Sequence, residues 1–161
     1  MPNHLERLIK QRIPFPSDRI KAEVGFMYIA YQMQDIQHHF FKPYGITMQQ
    51  YNTLRILRGQ FPRPANINLI KDRMIDRMSD ASRIVDRLVK LEFVTKHSNT
   101  MDKRHVDVTI TEKALNLLGE IDEALRSAPS LLDSLEDNEI KTLNHIIDRL
   151  LEKWTNLKKT E

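Results

Sequence analysis

Cysteine is absent from the 161-residue sequence, and glycine is scarce, with four residues. Without cysteine, the chain has no disulfide, no thiolate metal site and no thiol-based redox switch. Four glycines leave little room for a phosphate-binding loop, and no nucleophile-elbow or paired metal-ligand motif accompanies the serines and carboxylates. We therefore expect that the protein is not an enzyme and that it carries no cofactor.

Long apolar runs are also missing. No stretch approaches the roughly 18 apolar residues of a membrane span, and Met1–Glu6 lacks the basic start and apolar core of a signal peptide. The expectation is a cytoplasmic protein without a membrane partner. With 40% hydrophobic residues, the chain is long enough for one domain with a sizeable core.

The charges are distributed unevenly, although the net charge is only +3. Residues 63–113 hold 11 Lys and Arg against 8 Asp and Glu, residues 1–62 hold 8 against 4, and residues 114–161 hold 6 against 10. A basic front and an acidic C-terminal third favour a protein with one face turned towards a polyanion.

Two helical patterns follow one another in the middle of the chain. Asn66 is the predicted N-cap of a short amphipathic helix over 67–74. A second helix is predicted from about Met78 to Leu91, because apolar residues recur there at intervals of three and four. Those expected to face a core are Met78, Ala81, Ile84, Val85, Leu88 and Leu91.

The opposite face of the second helix is polar. Its members are Ser79, Asp80, Ser82, Arg83, Asp86, Arg87 and Lys90. Short hydrogen-bonding groups at a helix start, with arginines behind them, suit contacts to base edges and phosphates in a DNA major groove. An ordinary solvated helix face has the same charge pattern, so the pattern alone leaves both interpretations open.

The segment that follows has the pattern of a β-hairpin, with a polar turn between two β-prone runs, 92–97 and 104–110. In the second run apolar and polar residues alternate, which predicts one buried and one exposed strand face. Lys103 and Arg104 fall near the tip or at the base of the second strand. Such an arm reaches a neighbouring minor groove or the phosphates beside it.

Together these residues resemble the winged helix-turn-helix of the MarR family of bacterial transcriptional regulators. Ser82–Leu88 matches the core of that family's recognition helix. Asp102-x-Arg104, followed by Thr111-Glu112-Lys113, matches its wing signature. The similarity in helix order extends over about residues 20–158 and so covers nearly the whole chain.

The sequence departs from the family pattern in three places. Ile75 stands where a glycine is common in the turn, Arg77 where a small N-capping residue is common, and Ala114 where glycine is common. Because of the first two, we expect Asp76 or Ser79 to cap the recognition helix.

The resemblance implies a mostly α fold with a small β-hairpin wing, a winged helix-turn-helix with N- and C-terminal dimerisation helices. Within one compact domain it implies an arm and long core helix (1–45), a DNA-binding region (46–111) and C-terminal dimerisation helices (112–161). The implied function is a homodimeric repressor that binds a pseudo-palindromic site in double-stranded DNA. The implied effector is a small phenolic or other anionic aromatic compound, bound where the first, second and fifth helices meet.

The expected DNA contacts are Ser79, Asp80, Ser82, Arg83, Arg87, Lys103 and Arg104, with Asp102 in a structural role in the wing. The first four lie at the front of a helix that enters the groove by its N-terminal end, so we expect them to set specificity. Arg87 and Lys90 lie further along that helix. We expect those two to serve phosphates or intramolecular pairs.

Helices are also predicted on both sides of the DNA-binding region. An arm over 1–18 is expected to fold only against a partner, and a long helix is predicted over 19–42 with apolar stripes on two sides. Thr47 begins the next helix, and Thr111 caps one that ends near Ser127.

The last helix, with Ser134 and Asp137 as its predicted cap pair, carries a heptad seam. The seam residues are Ile140, Leu143, Ile147, Leu150, Trp154 and Leu157. Packing against the same seam of a second copy, by two-fold symmetry, would bury it. The alternative is that the seam packs only on the long helix of its own chain.

Three further interpretations concern function. His38 and His39 lie one helical turn after Asp35, but a metal site needs ligands from elsewhere, so surface or ligand-pocket histidines are the simpler account. The acidic Asp80 and Asp86 on the polar helix face leave open a winged-helix module that recognises a protein instead of DNA. A small enzyme has only the His/Asp pairs in its favour.

Overall fold

The protein is mostly helical with one small sheet, as seen in a computed structural model that describes residues 4–76, 78–98 and 106–159. The α-helices are α1 (His4–Leu8), α2 (Asp18–Phe41), α3 (Met48–Arg58), α4 (Ile67–Arg73), α5 (Ala81–Lys90), α6 (Glu112–Ser127) and α7 (Asp137–Lys158). The strands are β1 (Ala65–Asn66), β2 (Val94–Ser98) and β3 (Val106–Ile110). The expected mostly α fold with a winged helix-turn-helix is confirmed.

The long helix α2 begins and ends within one residue of its predicted bounds. Ser17 caps it, because the Ser17 Oγ accepts a hydrogen bond from the Ile20 backbone N–H at 3.3 Å. The arm predicted to fold only against a partner is in part folded within this chain. Helix α1 lies beside α2, with a Leu5 methyl carbon 3.7 Å from the position that a Cβ on Gly25 would take.

Helix α3 begins one residue after Thr47, where its start was predicted, and α4 begins at its predicted cap, Asn66. Thr47 and Gln50 form a capping box: the Thr47 Oγ1 accepts from the Gln50 N–H at 3.2 Å, and the Gln50 Oε1 accepts from the Thr47 N–H at 2.8 Å. The Asn66 Oδ1 accepts from the Leu69 N–H at 2.8 Å. These side chains replace the hydrogen bonds that the first turn of a helix lacks, so they fix where each helix starts.

The sheet has the order β1–β3–β2 and is antiparallel. Its register pairs Ala65 with Val108 and Asn66 with Asp107, and runs from Val94 with Ile110 to Ser98 with Val106. Strands β2 and β3 confirm the predicted hairpin, whereas the two-residue β1 was not predicted. The alternation in β3 is confirmed at Val108 and Ile110, which are buried, while Val106 is half-buried.

The core of the winged-helix region is built from one face of each of its elements. Its fully buried apolar side chains include Leu54, Leu57, Ile70, Val85, Leu88, Val108 and Leu118. Each large side chain of this kind contributes roughly 1.5–3 kcal/mol by leaving water. The core therefore holds α5 firmly by its inner face.

The internal contacts of the chain group Met1–Glu120 and Ile121–Glu161 into two units. In the second unit, α7 starts after Glu136, whose N–H donates to the Glu139 Oε2 at 2.9 Å. The predicted cap pair at the start of this helix is wrong. Ser134 belongs instead to the preceding 3₁₀ turn, Leu131–Ser134, where its Oγ donates to the Leu131 carbonyl oxygen at 3.0 Å. Within the described ranges, no helix is long and apolar enough to cross a membrane.

Candidate nucleic-acid interface

Helix α5 presents two faces of opposite character. Ala81, Ile84, Val85 and Leu88 are buried, as their spacing predicts. The side chains on the other face that are exposed are Ser82, Arg83, Asp86, Arg87 and Lys90. The helix is anchored along one side, and a line of hydrogen-bonding and basic groups is open to solvent along the other.

The start of α5 differs from the prediction. The helix begins at Ala81 and not at Met78, and its N-cap is Asp80 and not Asp76 or Ser79. The Asp80 Oδ1 accepts from the Arg83 backbone N–H at 3.2 Å. The Asp80 Oδ2 lies 3.2 Å from the Arg83 Nε. One carboxylate thus fixes the first turn and orients the arginine that follows it.

The residues ahead of this cap form a tight turn around Asp76. The Asp76 Oδ1 accepts from the Met78 N–H at 3.0 Å, and the Asp76 Oδ2 accepts from the Ser79 Oγ at 2.7 Å. The Ser79 hydroxyl, and after it the Met78 N–H, lower the pKa of Asp76 from its ordinary value, because both hydrogen bonds favour the charged carboxylate. Helical spacing at Met78 is overridden by these local bonds.

A residue outside the predicted site supports the same turn. The Asn52 Oδ1, on α3, accepts from the Ile75 backbone N–H at 3.1 Å. This bond attaches the segment between α4 and α5 to α3. Sequence reasoning missed it, because one polar residue on a predicted amphipathic helix gives no signal of a partner 23 residues away.

Met78 lies in a different environment from the one predicted. Its side chain was expected in the core, but it is 94% exposed. Leu91, also expected in the core, is half-buried. Met78 follows the helical spacing in sequence only, since the chain at this point is a turn stabilised by side-chain bonds.

One residue of the polar face of α5, Asp86, forms an ion pair within the protein. The Lys96 Nζ, on β2, donates to the Asp86 Oδ1 at 2.7 Å, which joins the recognition helix to the wing. An exposed pair of this kind is worth only about 0–1 kcal/mol. Its main effect is to neutralise an acidic group on a face expected to approach phosphates.

A cleft of about 310 Å³ lies between the start of α3 and the front of α5. It is lined by Thr47, Gln49, Gln50, Ser79, Asp80, Arg83, Ile84 and Arg87. Of the predicted DNA contacts on α5 and its preceding turn, the structure brings four together at this cleft, and Ser82 is exposed beside them.

The base of the wing is attached to the start of α6. The Lys113 Nζ donates to the Glu92 Oε2 at 2.9 Å and to the Leu91 carbonyl oxygen at 3.0 Å. Lys113 lowers the pKa of Glu92 by donating to its carboxylate and by its charge. The Thr111 Oγ1 donates to the Glu92 carbonyl oxygen at 2.9 Å and accepts from the Ala114 N–H at 3.3 Å, which confirms Thr111 as the cap of α6.

The wing residues Asp102, Lys103 and Arg104 lie outside the described residues, as does Arg77 in the turn before α5. Their expected roles therefore remain predictions from the sequence. What the structure describes of the wing is its two strands and its attachment to α5 and α6.

A larger pocket of about 670 Å³ opens on the other side of the Asp76 turn. It is lined by Tyr31, Gln34, Asp35, Gln37, His38, Thr47, Met48, Gln49, Asn52, Met74, Ile75 and Asp76. Its walls are α2, α3 and the segment between α4 and α5. The described lining contains two carboxylates and no lysine or arginine.

The neighbouring His39 pairs within its own helix. Its Nδ1 lies 2.9 Å from the Asp35 carbonyl oxygen and 3.5 Å from the Asp35 Oδ1. Among the described residues, no three His, Asp or Glu side chains are grouped so as to hold a metal ion. His38 lines the 670 Å³ pocket, and the side chain of His39 is 69% exposed.

The chain is similar in sequence and in structure to known regulators of transcription. No sequence model of a protein family matches the chain. The HTH-type transcriptional regulator MgrA of Staphylococcus aureus is 23% identical over 111 residues, 69% of this chain and 74% of MgrA. A crystal structure of a MarR transcription factor from Planctomyces limnophilus is 26% identical, with a TM-score of 0.62 over 92% of this chain and 100% of that one. The chain has the MarR-family winged-helix fold.

A protein whose structure has been solved in complex with DNA has a similar fold. The Staphylococcus aureus MepR–DNA structure has a TM-score of 0.67 and 16% identity, and the match covers 81% of this chain and 96% of MepR. The resemblance to the MarR family drawn from Ser82–Leu88 and the wing signature is confirmed. MgrA is named as a transcriptional regulator, and the Planctomyces limnophilus protein as a transcription factor.

Proposed function

We propose that the protein is a sequence-specific, double-stranded DNA-binding regulator of transcription that acts as a homodimer. The observation that carries this proposal is α5, which is locked to the core on one side and presents an oriented arginine and a row of polar groups on the other. Such a helix suits the major groove, which is wide enough to admit it. Ser79, Ser82, Arg83 and Arg87 are the proposed contacts on or just before this helix.

In this proposal Asp80 acts through the protein and does not meet a base itself. Its two oxygens hold the first turn of α5 and the Arg83 Nε. Recognition of guanine by arginine uses two parallel donors. With Nε turned to Asp80, the two terminal nitrogens of Arg83 would face the groove.

The exposed apolar residues of α7 support the homodimer. Of the six predicted seam residues, Ile147, Leu150, Trp154 and Leu157 are between 38% and 56% exposed in the single chain. Contact with a second copy would remove this surface from water. Two recognition helices would then reach successive major grooves about 34 Å apart, which requires a pseudo-palindromic site.

The alternative function, recognition of a protein partner, depends on the acidic groups on the polar face of α5. In the structure Asp80 caps α5 and pairs with Arg83, and Asp86 pairs with Lys96. Because these two carboxylates are paired with cations, the remaining charge on the polar face of α5 comes from basic residues. This favours DNA over a protein partner.

Effector control is the remaining part of the proposal. An occupant of the 670 Å³ pocket would contact Ile75 and Asp76, which belong to the segment that positions the start of α5. The volume suits a small organic ligand. Because the described lining holds Asp35 and Asp76 and no described lysine or arginine, a neutral phenol suits it better than an anion. We propose that such a ligand lowers DNA affinity, as expected of the inducer of a repressor.

The experiment that tests the proposal is selection of binding sites from a random duplex library, followed by a titration of the selected duplex at several salt concentrations. We expect a two-fold-related motif and an affinity that falls steeply with salt, since each phosphate contact releases counterions. The same titration with phenol and with benzoate tests the effector. A failure to select any motif would count against DNA recognition and in favour of the protein partner.

A further inference from the structure

Among the described residues, Met78 has the most exposed large apolar side chain, at 94%. Single exposed apolar residues are common on protein surfaces and need no explanation by themselves. The position of Met78 is what distinguishes it. It lies two residues before the Asp80 cap, at the end of α5 that would enter the groove first.

The backbone at Met78 is held in place although its side chain contacts little. Its N–H donates to the Asp76 Oδ1, and the next residue, Ser79, donates its hydroxyl to the Asp76 Oδ2. Asp76 in turn follows Ile75, whose N–H is bound to Asn52 on α3. The turn therefore holds the Met78 backbone just ahead of α5 and leaves its apolar side chain open to solvent.

We propose that Met78 is a specificity-determining residue that contacts the C5-methyl group of a thymine in the major groove. This inference rests on the proposed DNA-binding function. The thymine methyl is the apolar group in the donor and acceptor pattern that base pairs present in the major groove, so an apolar side chain at the groove-entering end is complementary to it. Methionine suits such a contact, because its unbranched, polarizable chain adapts to the position of a small group.

The neighbouring Ile75 provides a matched control. It is also apolar and exposed, at 78%, and belongs to the same segment. Its side chain, however, lines two clefts on the α3 side of the turn, together with Met48 and Asn52. We therefore expect Ile75 to make no contact with a thymine methyl.

The test replaces single thymines of the selected duplex by deoxyuridine, which removes the C5-methyl and leaves the hydrogen-bonding groups unchanged. Wild-type protein should lose about fourfold in affinity at one thymine of each half-site, the effect of one buried methyl group. Met78→Ala should bind the thymine and uracil forms of that position equally well. Ile75→Ala should keep the wild-type response, and Met78→Leu should retain part of it.

The inference is overturned by two results. One is a set of uracil effects that is the same in Met78→Ala as in wild type, or absent from both. The other is that Met78→Ala binds every duplex more weakly than wild type by the same factor, whichever thymine is replaced. That result would place Met78 on the sugar-phosphate backbone. Circular dichroism and thermal melting check that the variant is folded. If wild-type protein selects no motif at all, it is the proposed function that fails, and this outcome is distinct from the other two.

Discussion

At the scale of single residues, two carboxylates shape the surface that we propose binds DNA. Asp80 begins α5 and orients Arg83, whose side chain is 82% exposed. Asp76 fixes the turn from which Met78 and Ser79 project. Spacing in the sequence located the polar face, but it assigned Asp80 to the DNA and the capping role to Asp76 or Ser79, whereas the structure has Asp80 as the cap of α5.

Arg83→Ala should cost about 1–3 kcal/mol of binding free energy on the selected duplex if Arg83 reads a base. The preference at one position of each half-site should become flatter. Binding-site selection with wild type and variant measures both effects, and Arg126→Ala, an exposed arginine paired with Glu123 on α6, is the control. Identical sequence preferences with a uniformly lower affinity would instead make Arg83 a phosphate contact.

Arg104→Ala should weaken binding to all duplexes by a similar factor, because the wing signature predicts that Arg104 is a backbone or minor-groove anchor. The slope of log affinity against log salt should become shallower by about one phosphate contact. Titration on the selected duplex and on a scrambled duplex measures this. Full affinity with the loss of one base preference would assign Arg104 to direct base recognition.

At the scale of elements, apolar spacing found the helices, and side-chain bonds decided where they begin. Ala81, Ile84, Val85 and Leu88 follow the predicted spacing and are buried. Met78 fits the same spacing and is exposed, because the bonds around Asp76 depend on geometry that periodicity does not contain. Strand β1 escaped prediction for a related reason: two residues carry no pattern, and their partners in β3 lie about forty residues further along the chain.

Asp80 offers a test of the helix start. Asp80→Ala removes the N-cap acceptor and should lower the free energy of unfolding by about 0.5–2 kcal/mol. Asp80→Asn keeps an acceptor for the Arg83 N–H and should stay close to wild type, while it loses the charge that faces the Arg83 Nε. Urea unfolding followed by circular dichroism compares the three proteins. Equal stability of the alanine and asparagine variants would show that the cap contributes little.

At the scale of the whole molecule, more than half of the exposed large apolar residues that the structure describes lie on two long helices. On α2 the exposed large apolar residues are Ile20, Phe26, Met27, Ile29, Tyr31, Met33 and Ile36. On α7 they are Ile146, Ile147, Leu150, Leu151, Trp154 and Leu157. The sequence predicted apolar stripes on both helices. The second copy that we propose as the cover of the α7 stripe is not contained in the sequence of one chain, so the pattern alone left packing within the chain as an alternative.

Leu150→Glu should weaken the proposed dimer about a hundredfold or more, because each of two copies loses roughly 1.5–3 kcal/mol of apolar burial. Sedimentation measures the association state. The emission of Trp154, the single tryptophan, gives a second readout and should shift to longer wavelength in the variant. Thr155→Glu, on the same helix but off the seam, is the control. A folded monomer of the unmodified protein at micromolar concentration would contradict the prediction.

Asn66 belongs to two elements at once, since it pairs with Asp107 in the sheet and caps α4 with its side chain. Neither the strand pairing nor the first turn of α4 can open without disturbing the other. The central strand and the helix-turn-helix should therefore unfold as one cooperative segment, with matched rates of amide hydrogen exchange. On DNA, the Asn66 link and the Lys96–Asp86 pair would keep α4, α5 and the two described wing strands together, so we expect a base pair inserted within a half-site to lower the affinity.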